Sequence, residues 1–281
     1  MEIKRNSIAF WEKDSSVSLE AYLPSEGENL PAILIMPGGA YFALSNKEGD
    51  AVAEYFAKRG FAAFVLRYST LHPSFEKAFT PINLHTVFPE PLLQTASAIK
   101  LLRDKAEDFH LNPERICLMG FSAGGHLAAN YCNYWVREDI WGSVCGNMEK
   151  VRPNASVLCY PAVILSETSA TMNLAVFGER DSYPNELLEK YCATKNVDRC
   201  TPPTFIWHTA SDKMVNVSQS YEMASALAEE GIVHELHVFS EGDHASGLSE
   251  GLPAGVWKDL AISFIERNTV LVHTTECWLG K

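Results

Sequence analysis

The chain has 281 residues, with 23 Lys and Arg against 35 Asp and Glu, for a formal net charge of −12. Hydrophobic residues make up 47% and charged residues 21%, which is globular rather than disordered composition, and a chain of this length buries enough surface to fold without staples. The acidic balance argues against a nucleic-acid partner, which needs clustered Lys and Arg, and no apolar run approaches the ~20 residues of a membrane-spanning helix.

The N-terminal stretch MEIKRNSIAFWEKDSS is charged throughout and lacks the apolar stretch of a signal peptide. The seven Cys, at 117, 132, 145, 159, 192, 200 and 277, are odd in number and irregular in spacing. Together these features predict reduced thiols in a cytoplasm. Cys192 and Cys200 are near enough in sequence to be weighed as a metal pair, but no CxxC or His-rich partner supports that reading.

Strand-like and helical patterns alternate along the chain, predicting a single α/β domain over 1–281 with a mostly parallel sheet. Val17 to Tyr22 alternates and reads as an early edge strand. Ala32 to Met36 and Phe61 to Leu66 are continuous apolar runs, as expected of strands covered on both faces. Leu92, Ala96, Ile99, Leu102, Ala106 and Phe109 recur at helical steps, and Pro89 and Pro91 stand where a missing N–H is harmless. Further strands are predicted at Ile116 to Phe121, Val157 to Tyr160, Phe205 to Thr209 and Glu235 to Phe239, with helices over Ser218 to Glu230 and Val256 to Arg267. Residues 70–88 and 178–203 lack periodicity and read as long loops that can shape a site.

The sharpest chemical signal is Gly120-Phe121-Ser122-Ala123-Gly124, a G-x-S-x-G set between an apolar strand and a small-residue helix start. G-x-S-x-G alone is a common chance match, and the strand–turn–helix context gives it weight. In a nucleophile elbow the turn is so tight that only Gly fits at the flanking positions, and the strained Ser oxygen projects above the sheet near a helix N-terminus. A Ser hydroxyl needs a base, and the base an orienting carboxylate. Six His follow Ser122. His126 lies in the helix after the elbow, His208, His234 and His237 in or beside strands, and His273 in the tail. His244 alone sits in a turn directly after a strand and is the candidate base. Asp212, in the turn after Phe205 to Thr209, is the candidate acid, with Asp243 and Asp181 as rivals. A helix N-cap is the other reading of Asp212, though Asn216 or Ser218 would cap more naturally. The strand Ala32 to Met36 runs into Pro37-Gly38-Gly39-Ala40-Tyr41, and the amides of Gly39, Ala40 and Ala123 are the candidate oxyanion donors. Tyr41 and Phe42 follow directly and are expected to bind substrate and crowd a long acyl chain.

Taken together these motifs resemble the α/β-hydrolase superfamily, and within it the small bacterial carbohydrate-esterase-like members described as acetyl esterases or sugar hydrolases. The likeness rests on PGGAY, GFSAGGHLAA, the run Thr201 to Thr209 leading to Asp212, and Glu235 to Phe239 leading to Gly242 and His244. Three positions depart from the family pattern: Ala40 for a third Gly, Ala245 for a Gly after the His, and Gln94 for an Asp. The resemblance implies an α/β-hydrolase fold with helices on both faces of the sheet. It also implies a serine carboxylic-ester hydrolase acting on short-acyl esters, acetylated sugars or xylo-oligosaccharides among them, with no cofactor or metal. A peptidase or amidase of the same fold, and a binding protein with a dead site, are the alternatives. The expected partner is a small-molecule ester, and whether the chain forms homo-oligomers is left open.

Overall fold

The computed structural model describes residues 2–77, 87–166 and 169–269. Part of the predicted loop over 70–88, together with His273 and Cys277, lies outside them. Eight strands, β1 (Ile3–Ala9), β2 (Ser18–Pro24), β3 (Leu30–Met36), β4 (Ala62–Arg67), β5 (Leu111–Phe121), β6 (Ala155–Cys159), β7 (Thr204–Thr209) and β8 (His234–Phe239), form one sheet. Their order is β1-β2-β4-β3-β5-β6-β7-β8. The β1–β2 and β2–β4 pairs are antiparallel, and every other pair is parallel.

The apolar runs split by alternation between two cores. In β3, Ala32, Leu34 and Met36 face one cluster while Ile33 and Ile35 face the other. In β5, Ile116 and Leu118 join the first cluster and Cys117, Met119 and Phe121 the second. A strand covered on both faces has no polar face to show, hence its unbroken apolar sequence. The helices are α1 (Asp50–Ala57), α2 (Glu90–Asp104), α3 (Ala123–Tyr134), α4 (Glu138–Trp141), α5 (Ala170–Phe177), α6 (Asn185–Glu189), α7 (Ser218–Glu229) and α8 (Trp257–Asn268). Leu92 and Ile99 of α2, Leu127 of α3 and Leu227 of α7 pack in the first cluster; Phe56 of α1 and Trp257 and Phe264 of α8 pack in the second.

Three expectations need correction. β2 is not an edge strand, because β1 pairs outside it. β1 is exposed along most of its length, so its sequence carries no burial pattern and it is held by backbone pairing. The stretch 178–203 contains α6 and a short 3-10 turn at Ala193–Lys195. Cys200 is disulfide-bonded, whereas Cys117, Cys132, Cys145, Cys159 and Cys192 are free. Spacing in sequence does not reveal which sulfurs meet in space. Among the described residues no helix is long and apolar enough to cross a membrane.

Candidate active site

The turns that follow β3, β5, β7 and β8 leave the C-terminal edge of the parallel strands, the edge where open α/β sheets gather their ligands. Ser122 occupies the turn between β5 and α3 with φ 51° and ψ −117°, a conformation that costs energy for a non-Gly residue. The packing explains both flanking glycines. A Cβ at Gly120 would lie 2.2 Å from the Gly124 oxygen, and one at Gly124 would lie 2.1 Å from the Met36 oxygen. The strained turn is pinned to the next strand: the Ser122 amide donates to the Cys159 carbonyl at 3.0 Å, and the Ala162 amide donates to the Ser122 carbonyl at 3.1 Å.

Ser122 Oγ lies 2.8 Å from His244 Nε2, and His244 Nδ1 lies 2.6 Å from Asp212 Oδ2. The His244 and Asp212 side chains are almost wholly buried. Asp243 and Asp181 are exposed, and the carboxylate that meets His244 is that of Asp212. Nor is Asp212 the cap of α7. Its Oδ1 accepts the amides of Met214 and Val215 within its own turn, at 2.8 and 3.0 Å.

A second histidine reaches the same carboxylate. His208 Nε2 lies 3.0 Å from the Val215 carbonyl, which can only accept, so this nitrogen donates there and shares its proton with Asp212 Oδ2 at 3.2 Å. Burial alone would raise the Asp212 pKa. Hydrogen bonds from His208, from His244 and from the Val215 amide outweigh it and hold the carboxyl well below the usual carboxylate range. Position in an apolar strand gave no hint of this contact. The spacing His208 to Asp212 across a strand end is the one signal that carries it.

The loop after β3 is compact. Gly39 has φ 118° and Ala40 φ 54°, and a Cβ at Gly39 would lie 1.8 Å from the Ala43 carbonyl oxygen. Among the described residues, the loop and turn hydrogen bonds do not use the Gly39, Ala40 or Ala123 amides as donors. Tyr41 is not a pocket residue. Its ring is fully buried, edge-on to Tyr68, Phe88 and His126, and its hydroxyl lies 2.8 Å from His126 Nδ1. His126 Nε2 donates to the Tyr191 carbonyl at 2.7 Å, and burial pushes its pKa down to about 4. The neutral ring therefore accepts from Tyr41, and both side chains are core. Phe42 is partly exposed and packs on His72 and Phe75. Phe75 is 51% exposed, and its ring tip is 3.2 Å from where a Gly39 Cβ would stand. The partly exposed aromatic rings beside the loop after β3 are thus Phe42 and Phe75 rather than Tyr41.

Of the departures from the family pattern, Ala40 and Ala245 both adopt positive φ, at 54° and 57°. Gln94 is buried and binds the amide and hydroxyl of Ser69, tying α2 to the chain after β4. Cys192 and Cys200 offer no thiolate pair: Cys200 is bonded and Cys192 Sγ rests against Thr194. Among the described residues no three His, Cys, Asp or Glu side chains cluster as metal ligands.

The BD-FAE family model matches residues 19–227. An endo-1,4-beta-xylanase B of Butyrivibrio fibrisolvens is 31% identical over 81% of this chain and 34% of its own length. An acetylxylan esterase of Xylanibacter ruminicola is 30% identical over 83% of this chain and 44% of its own length. The chain therefore spans less than half of either relative. The crystal structure of an acetyl ester-xyloside bifunctional hydrolase from Caldicellulosiruptor lactoaceticus superposes with a TM-score of 0.78 at 30% identity, covering 93% of this chain and 96% of that one.

Proposed function

The chain belongs to the BD-FAE family of α/β-hydrolases, and from that premise we propose that it is a serine carboxylic-ester hydrolase that removes short acyl groups, acetyl above all, from xylo-oligosaccharides or related sugars. The observation that carries this reading is the continuous hydrogen-bonded line from Ser122 through His244 to Asp212. His244 Nε2 accepts the Ser122 proton as Oγ attacks the ester carbonyl. The Nδ1 proton stays on the imidazole and donates to Asp212, which fixes the tautomer and stabilises the imidazolium. The amides of Gly39, Ala40 and Ala123 receive the oxyanion. His244 then protonates the leaving sugar oxygen and activates the water that hydrolyses the acyl-enzyme, returning the proton to Ser122.

The sugar part of the proposal is supported by the relatives named for acetylxylan and acetyl ester-xyloside hydrolysis. The short-acyl part is supported by Phe42 and Phe75 beside the oxyanion loop. The test is hydrolysis of acetylated xylo-oligosaccharides and p-nitrophenyl acetate alongside fluorophosphonate labelling. Acetate release and labelling, both lost in Ser122→Ala, are expected. Labelling without release from any ester would indicate an amidase or peptidase, and neither labelling nor release a binding protein.

A further inference from the structure

Glu48 is 1% exposed, yet among the described residues its carboxylate forms no ion pair. A carboxylate buried without a cation is costly unless hydrogen bonds compensate it, so its two partners matter. Oε2 accepts the Gly38 amide at 2.9 Å. Oε1 accepts the Tyr160 hydroxyl at 2.7 Å. The Tyr160 oxygen in turn accepts the Gly247 amide at 3.0 Å, and its ring stands edge-on to the His244 imidazole at 5.0 Å between centroids. Two buried side chains, Glu48 and Tyr160, thereby join the loop after β3, the end of β6 and the loop that carries His244.

The junction is tight at Ser122. A Cβ on Gly38 would lie 2.7 Å from Glu48 Oε2 and 2.9 Å from Ser122 Cβ. Gly38 is therefore held between the carboxylate and the nucleophile, with no room to drift. Gly39 and Ala40 follow it directly, so the direction in which their amides point depends on where Gly38 is fixed.

We propose that Glu48 is a positioning residue of this site, setting the oxyanion loop against Ser122 through Gly38 and setting the His244 loop through Tyr160. The proposal rests on the esterase reading for its kinetic consequences but not for its structural ones. Gln is nearly isosteric and cannot replace the carboxylate. If its oxygen accepts from Gly38, its NH₂ faces a Tyr160 oxygen that already accepts from Gly247, and the Tyr160 proton loses its acceptor. The opposite orientation abandons Gly38.

Glu48→Gln is expected to lower kcat for p-nitrophenyl acetate by about 10²-fold while KM moves less than threefold, since a loop misplaced by about 1 Å acts on the transition state rather than on ground-state binding. Affinity for a boronic acid, which forms a tetrahedral adduct on Ser122, should fall by a similar factor. Tyr160→Phe keeps the Gly38 bond and should lose only about tenfold in kcat. It serves as the second variant should Glu48→Gln fold poorly. Independent of catalysis, hydrogen exchange at the Gly38 amide, which donates to Glu48 at 2.9 Å, should rise at least tenfold in Glu48→Gln. A folded Glu48→Gln with wild-type exchange at this amide overturns the proposal, as does a kcat within threefold of an active wild type. If the wild type cleaves no ester but the exchange rises as expected, the esterase reading fails and the structural role of Glu48 stands.

Discussion

The loops that meet at Ser122 arrive from two sides of β5 and are secured in different ways. On one side, the turns after β7 and β8 are stitched directly to each other. Thr209 and Ser211 hydroxyls both donate to the Gly242 carbonyl, at 2.8 and 2.9 Å, and the Gly242 amide returns a bond to Ser211 at 3.0 Å. Asp212 then holds His244 while accepting from two amides and His208. On the other side, the turn after β3 is held by the buried Glu48, by the Tyr68 hydroxyl on the Pro37 carbonyl, by the Leu71 and His72 amides on the Tyr41 and Phe42 carbonyls, and by close backbone packing. Both sides are tied by several hydrogen bonds. What sets the β3 side apart is glycine backbone packed against carbonyl oxygens, so small steric changes there should matter more than the loss of single bonds on the acid–base side.

The largest expected effect falls on the one group of the acid–base side that nothing duplicates. Asp212→Asn should lower kcat by about 10⁴-fold through selection of the wrong His244 tautomer, while Asp243→Asn should stay within a few-fold of wild type. The same substitution has a signature in stability. The folded pKa of Asp212 is depressed, so its contribution is present above the unfolded value of ~4 and is lost as pH falls below it through the folded value. Denaturant unfolding from pH 6 to pH 2 should therefore decline less steeply in Asp212→Asn than in the wild type.

Next comes the oxyanion loop. Gly39→Ala places a methyl 1.8 Å from the Ala43 oxygen at a φ of 118° and should lower kcat by about 10²- to 10³-fold, with Ser122 still open to fluorophosphonate. The acyl wall should contribute less. Acetyl esters should exceed octanoyl esters in kcat/KM by about 10- to 100-fold, the equivalent of ~1–3 kcal/mol of overpacking, and Phe75→Ala should narrow that ratio. A flat acyl-length profile in the wild type would mean that Phe42 and Phe75 do not bound the acyl group. The smallest effect tests redundancy itself. Ser211→Ala should change kcat by less than about threefold, because Thr209 still donates to Gly242. A tenfold loss would show that the stitching is not redundant.

Residues in a turn directly after a strand were legible in the sequence. G-x-S-x-G, the turn after β7 and the turn after β8 each announce a strand end, and the structure joins Ser122, His244 and Asp212. The apolar and alternating runs gave the seven strands from β2 to β8 for the same local reason, while the polar β1 gave no signal. What stayed hidden depends on distant partners. Glu48 sits in Asn46–Glu48 among polar residues, and nothing nearby reveals burial beneath a tyrosine 112 residues away. Tyr41 was misread for a related reason: next to a functional loop in sequence, it points into the core and meets His126. Phe75, far from the oxyanion loop in sequence, is the aromatic ring that lies against it.

The proposed reaction turns on transfer of the acyl group to Ser122. Rapid acid quench of the wild type mixed with p-nitrophenyl acetate, followed by peptide mass spectrometry, tests it most directly. A burst of p-nitrophenol and an acetyl adduct on the Ser122 peptide are expected, both absent in Ser122→Ala. Ester hydrolysis that persists in Ser122→Ala, or an acetyl adduct carried by another residue, would contradict it.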